Sequence, residues 1–265
     1  MIRNRSALVT CCLVLIMVGG LARPSQAEDI SDPLEPMNRG IFWFNDTIDV
    51  YAMEPVAQGY DEITPTPIRT GINNFFLNLR FPMYFVSDLV QFKVTQAAEH
   101  TGRFLINSSI GLFGLIDVAK HLGLEDHYED FGLALAYHGV PPGPYLVLPF
   151  VGPSNVRDGI GYLVDLFLDP LFVFGVSSNT PAPVKDKVLL PTGALKFINI
   201  RANLLEAVEA AKSSSLDYYL FVQSAYYQHR EGVLNDGKKI SLEDSNLDGD
   251  PFGDEESPNP EALEE

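Results

Sequence analysis

The chain has 265 residues, 35 of them acidic and 18 basic, giving a formal net charge of −17. Hydrophobic residues make up 46% of it, which excludes global disorder. The acidic balance excludes both the basic footprint of a nucleic-acid binder and docking on anionic membrane by charge alone.

The first segment is basic at Arg3 and Arg5, then runs apolar and uncharged over 7–21. Small residues follow at Ser25 and Ala27. This pattern predicts a secretory signal peptide over 1–27, cleaved after Ala27. The run is shorter than the ~20 apolar residues of a membrane span. Cys11 and Cys12 both lie inside it, and neither closes it behind small residues. The expectation is a mature chain beyond a bacterial inner membrane, with no disulfide, no thiol chemistry and no lipidated cysteine.

Residues 28–240 form the expected folded domain. Its start is polar and interrupted by Pro33 and Pro36; beyond residue 41 it is rich in Phe, Leu and Ile. Apolar spacing predicts helices over 38–50, 66–79, 82–102, 103–122, 156–168, 192–212 and 214–231, hence a mostly α fold. Pro82 suits a first helical turn, and Ser214 and Ser215 suit N-caps. The Pro- and Gly-rich stretch 140–153 predicts an irregular loop, with at most a short strand near 146–148.

Two predicted helices are unusual. In 156–168 and its continuation 169–176, Asp158, Gly161, Asp165 and Asp169 make one narrow polar stripe on an otherwise apolar surface. Pro170 breaks the continuation. A helix apolar almost all round lies in a deep core or in lipid. At 1.5 Å per residue, 156–168 reaches only about 20 Å, less than the ~30 Å of a hydrocarbon core. In 103–122 the polar side carries Arg103, Asn107, Gly114, Asp117 and His121. Such helices fit one leaflet, with their acids turned to a wet interior.

Chemistry-bearing motifs are weak. The segment around Ser154 lacks the second glycine of a nucleophile elbow, so Ser154 reads as a turn residue or N-cap. Gly159 and Gly161 lack the third glycine of a dinucleotide loop. The acids and histidines at 121–130 match no zinc spacing. No metal or cofactor is expected. The tail 241–265 has ten acids and no base, which predicts disorder. Asp244, Asn246, Asp248, Gly249 and Glu255 match a calcium loop, but Pro251, Pro258 and Pro260 oppose its helix-loop-helix frame.

Several motifs occur in one order: Asp32-Pro33-Leu34-Glu35-Pro36-Met37-Asn38-Arg39, Phe42-Trp43-Phe44-Asn45, Pro67-Ile68-Arg69, Asn73-Asn74-Phe75, the run from Arg103 to Ser108, and Gly111 to Asp117. Phe131-Gly132, Gly143-Pro144-Tyr145, Leu148-Pro149-Phe150, Arg157-Asp158 and Asp169-Pro170 follow. Over about residues 31–231 the chain resembles the MlaA/VacJ family of the Gram-negative outer membrane. That resemblance implies a single ring-like helical domain in the periplasmic leaflet, with an amphipathic channel. It implies retrograde phospholipid transfer, with phospholipids, a trimeric outer-membrane porin and a periplasmic lipid carrier as partners, and no enzyme chemistry. It places Phe42, Phe44 and Asn45 in a gating segment. Asn107, Asp117, Asp158, Asp165 and Asp169 are the candidates for the channel wall. The absence of a suitable lipidation cysteine and the long acidic tail depart from the family. The rival classes are a periplasmic lipid hydrolase, which needs a nucleophile–base pair, and a calcium-binding surface protein, which needs a folded tail. The mature protein is expected to begin at Glu28 without acyl chains; intact mass checks this, and acylation of Cys11 or Cys12 would refute it.

Overall fold

The computed structural model describes residues 32–177 and 181–235. The predicted signal peptide, the acidic tail and its calcium-loop match lie outside the described residues.

Helix α1 (Glu35–Ile48) opens where the Asp32 side chain accepts the Leu34 N–H at 3.1 Å, with Pro36 in its first turn. A π-turn at Asp49–Met53 joins it to α2 (Glu54–Ile63). Thr64, extended before Pro65, ends α2. Helix α3 (Thr66–Leu79) has Pro67 in its first turn and the expected boundaries. The expected helix 82–102 is two helices, α4 (Phe81–Val90) and α5 (Val94–Ser109). The break lies at Phe92, whose φ is +60°. Helix α6 (Val118–His121) is one turn, and α7 (Phe131–Tyr137) is capped by Asp130.

Where an irregular loop is expected, β1 (Tyr145–Leu148) and β2 (Gly152–Asn155) form an antiparallel hairpin. Val147 faces Pro153 in its register. The N-cap of α8 (Val156–Leu168) is Asn155, not Ser154, because the Asn155 Oδ1 accepts the Asp158 N–H at 2.8 Å. Helix α9 (Pro170–Val176) is set off from α8 by a 69° bend. Helix α10 (Ala182–Asn203) begins well before the expected 192 and holds Pro191; α11 (Leu205–Ser214) follows. Ser214 ends α11, and Asp217 caps α12 (Tyr218–Leu234).

The molecule is mostly α, as expected. Its packing partners form a closed circuit: α3 on α4, α4 on α8, α8 on α9, α9 on α10, and α10 on α3. The hairpin docks on α1, α8 and α12. The apolar core is small, centred on Tyr145, Val147 and Tyr219, while Asn38, Asp88, Gln91, Glu129, Asn155 and Asn199 are almost fully buried. Large apolar side chains lie outside instead, including Trp43, Phe92, Phe113 and Phe167.

Helices α7 and α8 touch backbone to backbone. A Cβ on Gly161 would sit 2.3 Å from the Gly132 nitrogen. Gly161→Ala should therefore destabilise the detergent-purified protein by at least about 1–3 kcal/mol, the scale of overpacking. Gly159→Ala is the control, since its Cβ would meet nothing closer than 3.8 Å. It should raise stability by about 0.5–1 kcal/mol through the usual helical gain over glycine. Paired thermal melts check both.

Candidate functional site

An open cleft lies among α3, α4 and α5. Leu77, Phe81 and Phe104 form its apolar lining, with the two phenyl rings stacked at 4.4 Å. Asn74, Asn78, Tyr84, His100, Arg103, Asn107, Asp117 and Asp126 supply polar groups. The cleft thus brings together two expected wall residues, Asn107 and Asp117. Arg103 Nη2 donates to Asp117 Oδ2 at 2.8 Å, and Asn107 Nδ2 donates to Asp117 Oδ1 at 2.9 Å. Burial works against the Asp117 charge, but Asn107, the Lys120 N–H and Arg103 hold its carboxyl below the usual range. Arg103 Nη1 donates to the Leu124 carbonyl at 2.7 Å. Asp126 is less engaged, 3.6 Å from Arg103 Nε.

The expected helix 103–122 ends at Ser109, and 110–117 is a loop. Leu112, Phe113 and Gly114 take φ values of +52°, +60° and +90°, which break the helix. The Asn107 and Ser108 carbonyls accept the Gly114 and Phe113 N–H groups and fix the turn. The loop meets the cleft directly: Asn74 Nδ2 donates to the Leu115 carbonyl at 3.3 Å, and a Cβ on Gly114 would lie 2.6 Å from Asn78 Cβ. Its outer side presents Ile110, Leu112, Phe113, Leu115 and Ile116, with Phe113 78% exposed.

The stripe on α8 turns inward, but Asp158 and Asp165 meet protein groups rather than an open wall. Asp158 is held by Arg157 Nε at 2.9 Å, by Asn155 Nδ2 at 3.0 Å and by the Tyr226 hydroxyl; Arg230 Nε lies 2.8 Å away. Burial alone would raise its pKa, yet Arg230 and Arg157 keep it below the usual carboxylate range. Arg230 also pairs with Asp130. Among the described residues Asp165 accepts only the Phe131 N–H, at 3.2 and 3.3 Å. Burial, with Asp130 nearby, pushes its carboxyl up to about 7. Asp169 is the N-cap of α9, accepting from Leu171 and Phe172, and lies 3.7 Å from Lys196 Nζ.

The three residues of the expected gating segment part company on α1. Phe42 packs edge-on against Tyr218 and Tyr219, each at 5.4 Å, beside the apolar core. Phe44 is half exposed and edge-on to Phe150. Asn45 accepts the Phe150 N–H and donates to the Leu148 carbonyl, both at 2.9 Å. Asn38, seven residues earlier, does the same with Val147 N–H and the Tyr145 carbonyl. The sequence pattern did not single out Asn38, Tyr226 or Arg230, and offered Asp126 only as a metal-ligand type without zinc spacing. Asn38 lies in the Asp32–Arg39 motif at heptad distance from Asn45; Tyr226 and Arg230 carry no local signal.

A hydrolase would need an activated nucleophile. His100 Nδ1 lies 2.6 Å from Asp88 Oδ2, but its Nε2 faces the His127 carbonyl at 3.0 Å, where a nucleophile would stand. Of the acids and histidines at 121–130, Glu129 binds Lys93 and Gln91, His127 binds Glu99, and Asp130 binds Arg230. Among the described residues no group of three or more His, Cys, Asp or Glu is placed to hold a metal ion.

Residues 30–232 match the family model described as MlaA lipoprotein. The Intermembrane phospholipid transport system lipoprotein MlaA of Escherichia coli (strain K12) is 33% identical over 237 residues, covering 87% of this chain and 89% of that protein. A protein of Rickettsia bellii (strain RML369-C) is 34% identical over 215 residues, covering 81% of each. A solved structure described as the structural basis for maintenance of bacterial outer membrane lipid asymmetry superposes with a TM-score of 0.62. It is 33% identical, and the match covers 77% of this chain and 100% of that one.

Asp165 generates a pH prediction. Its carboxyl titrates near 3.8 when unfolded and near 7 when folded, so folding favours the protonated form. The stability it contributes is full below about pH 4 and is lost as pH rises through 7. Asp165→Asn cannot ionise and keeps an acceptor for Phe131. Relative to the parent, the variant should gain melting temperature from about pH 4 to about pH 7 and hold that gain at pH 8. Melts across that range check it; a constant difference would refute it.

Proposed function

The chain belongs to the MlaA lipoprotein family, and from that premise we propose that it carries misplaced phospholipid away from the outer leaflet of the outer membrane. It passes the lipid to a periplasmic carrier and so maintains lipid asymmetry, breaking no bond. The observation that carries this reading is the inverted distribution of polarity. On α8, Arg157, Gly161 and Asp165 are buried while Ile160, Leu163 and Phe167 are exposed. Water drives a helix to the opposite arrangement; lipid drives it to this one.

Among the described residues no single helix is long and apolar enough to cross a membrane; α8 and α9 would pass only as a bent pair. That geometry supports residence in the periplasmic leaflet, held by exposed apolar side chains and a trimeric porin rather than by an acylated cysteine. Asn107 and Asp117 line the lipid path. Asp158, Asp165 and Asp169 hold the helices that wall it, and Phe42, Phe44 and Asn45 set the position of α1 against the hairpin.

The loop 110–117 tests the membrane contact. Phe113→Asp suits a position at φ +60°, since aspartate tolerates the left-handed region. It replaces an exposed phenyl group whose burial contributes about 1.5–3 kcal/mol. Flotation with phospholipid vesicles should show roughly tenfold or greater loss of binding, with unchanged melting. In cells, the same variant should let phospholipid accumulate in the outer leaflet. Full vesicle binding together with normal asymmetry would overturn the reading.

A further inference from the structure

We infer that the cleft among α3, α4 and α5 is a headgroup subsite selective for a zwitterion carrying both an ammonium and a phosphate group. The inference rests on the transport reading and deepens it, because it names what the cleft selects.

Of the eleven residues lining the cleft only Leu77, Phe81 and Phe104 are apolar, so it suits a polar headgroup better than a pair of acyl chains. The acyl chains have another surface. The exposed apolar loop 110–117 packs on Asn74 and Asn78, which line the same cleft. A lipid can therefore lay its chains along the loop while its headgroup enters the cleft.

The lining carries one guanidinium, Arg103, and the His100 imidazole, whose two nitrogens already face Asp88 and the His127 carbonyl, against two carboxylates, Asp117 and Asp126. Asp117 is saturated by Arg103, Asn107 and the Lys120 N–H. Asp126 is not: its contact with Arg103 Nε is 3.6 Å, and its side chain is half exposed. It is the one lining carboxylate free to take a ligand ammonium. Arg103 commits Nη1 to the Leu124 carbonyl and Nη2 to Asp117, with further N–H groups left over. Those N–H groups, with the second amide proton of Asn78, suit a phosphate oxygen. A purely anionic headgroup meets the Arg103 guanidinium and two carboxylates in the same space, with the His100 nitrogens already engaged. A zwitterion satisfies both signs.

The experiment uses the full-length protein in detergent, equilibrated with vesicles of equal phosphatidylethanolamine and phosphatidylglycerol. Bound lipid is counted by mass spectrometry. The parent should enrich phosphatidylethanolamine roughly threefold to fivefold, the scale of one partly exposed ion pair. Asp126→Asn should abolish the enrichment with unchanged melting, Asp126→Glu should retain it, and Asp126→Lys should reverse it. Equal total lipid with an unchanged ratio in Asp126→Asn overturns the subsite while leaving transport standing. No lipid above background on the parent overturns both. Soluble glycerophosphoethanolamine forms the second arm. Asp126-dependent displacement of lipid by it assigns the site to the free zwitterion; failure to displace, with the lipid ratio still Asp126-dependent, assigns it to the bilayer lipid.

Discussion

The architecture depends on one buried ionic node, Asp130–Arg230–Asp158–Arg157, where α7, α8 and α12 meet. Two carboxylates and two guanidiniums balance there, and the Tyr226 hydroxyl and Asn155 amide take up further lone pairs of Asp158. A buried charge without a partner costs several kcal/mol, so such a node holds only when every member is in place. Gly132 and Gly161 make the placement possible by letting two backbones touch. Arg230 arrives from the far end of the chain and completes it. Asp165 shows the contrast: it sits two helical turns along α8 with no cation in hydrogen-bond contact, and its carboxyl is pushed towards the neutral form.

The rest of the polarity pattern follows from that node. With ionic groups at the centre, the apolar surface of α8, α9 and the 110–117 loop is left facing outward. The proposed lipid surroundings add a second requirement, that backbone and side-chain polar groups be paired. Asparagines meet much of it. Asn38 and Asn45 satisfy the free edge of β1, Asn107 receives the Ala119 N–H, and Asn155 caps α8. Each uses the same property, an amide that presents donor and acceptor together.

Legibility in the sequence divided along the same line. Helices α3 and α8 had the expected boundaries because Pro67 and Pro170 signal them locally, although the cap of α8 is Asn155 and not the expected Ser154. The inward stripe of Asp158 and Asp165 was legible from helical spacing. The break in 103–122 was not, since Leu112 and Phe113 are not residues that usually take positive φ; the Asn107 and Ser108 carbonyls impose it. The hairpin was hidden by its prolines, although Pro153 sits at a register position that the short ladder tolerates. Asn107 and Asp117 were legible as one polar face and do share the cleft. Asp126 and Arg230 were not, because their roles are set by helices that only folding brings near.

The clip between α1 and β1 decides how this molecule can move. Two asparagines, each paired bidentately with the strand edge, fasten α1 along the whole of β1. Phe42 is wedged against Tyr218 and Tyr219, and Arg39 binds Asp217 at 2.8 Å while lying 4.4 Å above the Tyr219 ring. Displacing Phe42, Phe44 or Asn45 therefore carries the hairpin and the start of α12 with it. The π-turn at Asp49–Met53 ends this unit, and Arg201 grips its first residue through two bonds to Asp49 of 2.6 and 2.9 Å. Arg201 belongs to α10, a member of the closed helical circuit. Arg201, with the Tyr60 hydroxyl on Asn199 at 2.9 Å, thereby ties α1 and the segment proposed for gating to the circuit.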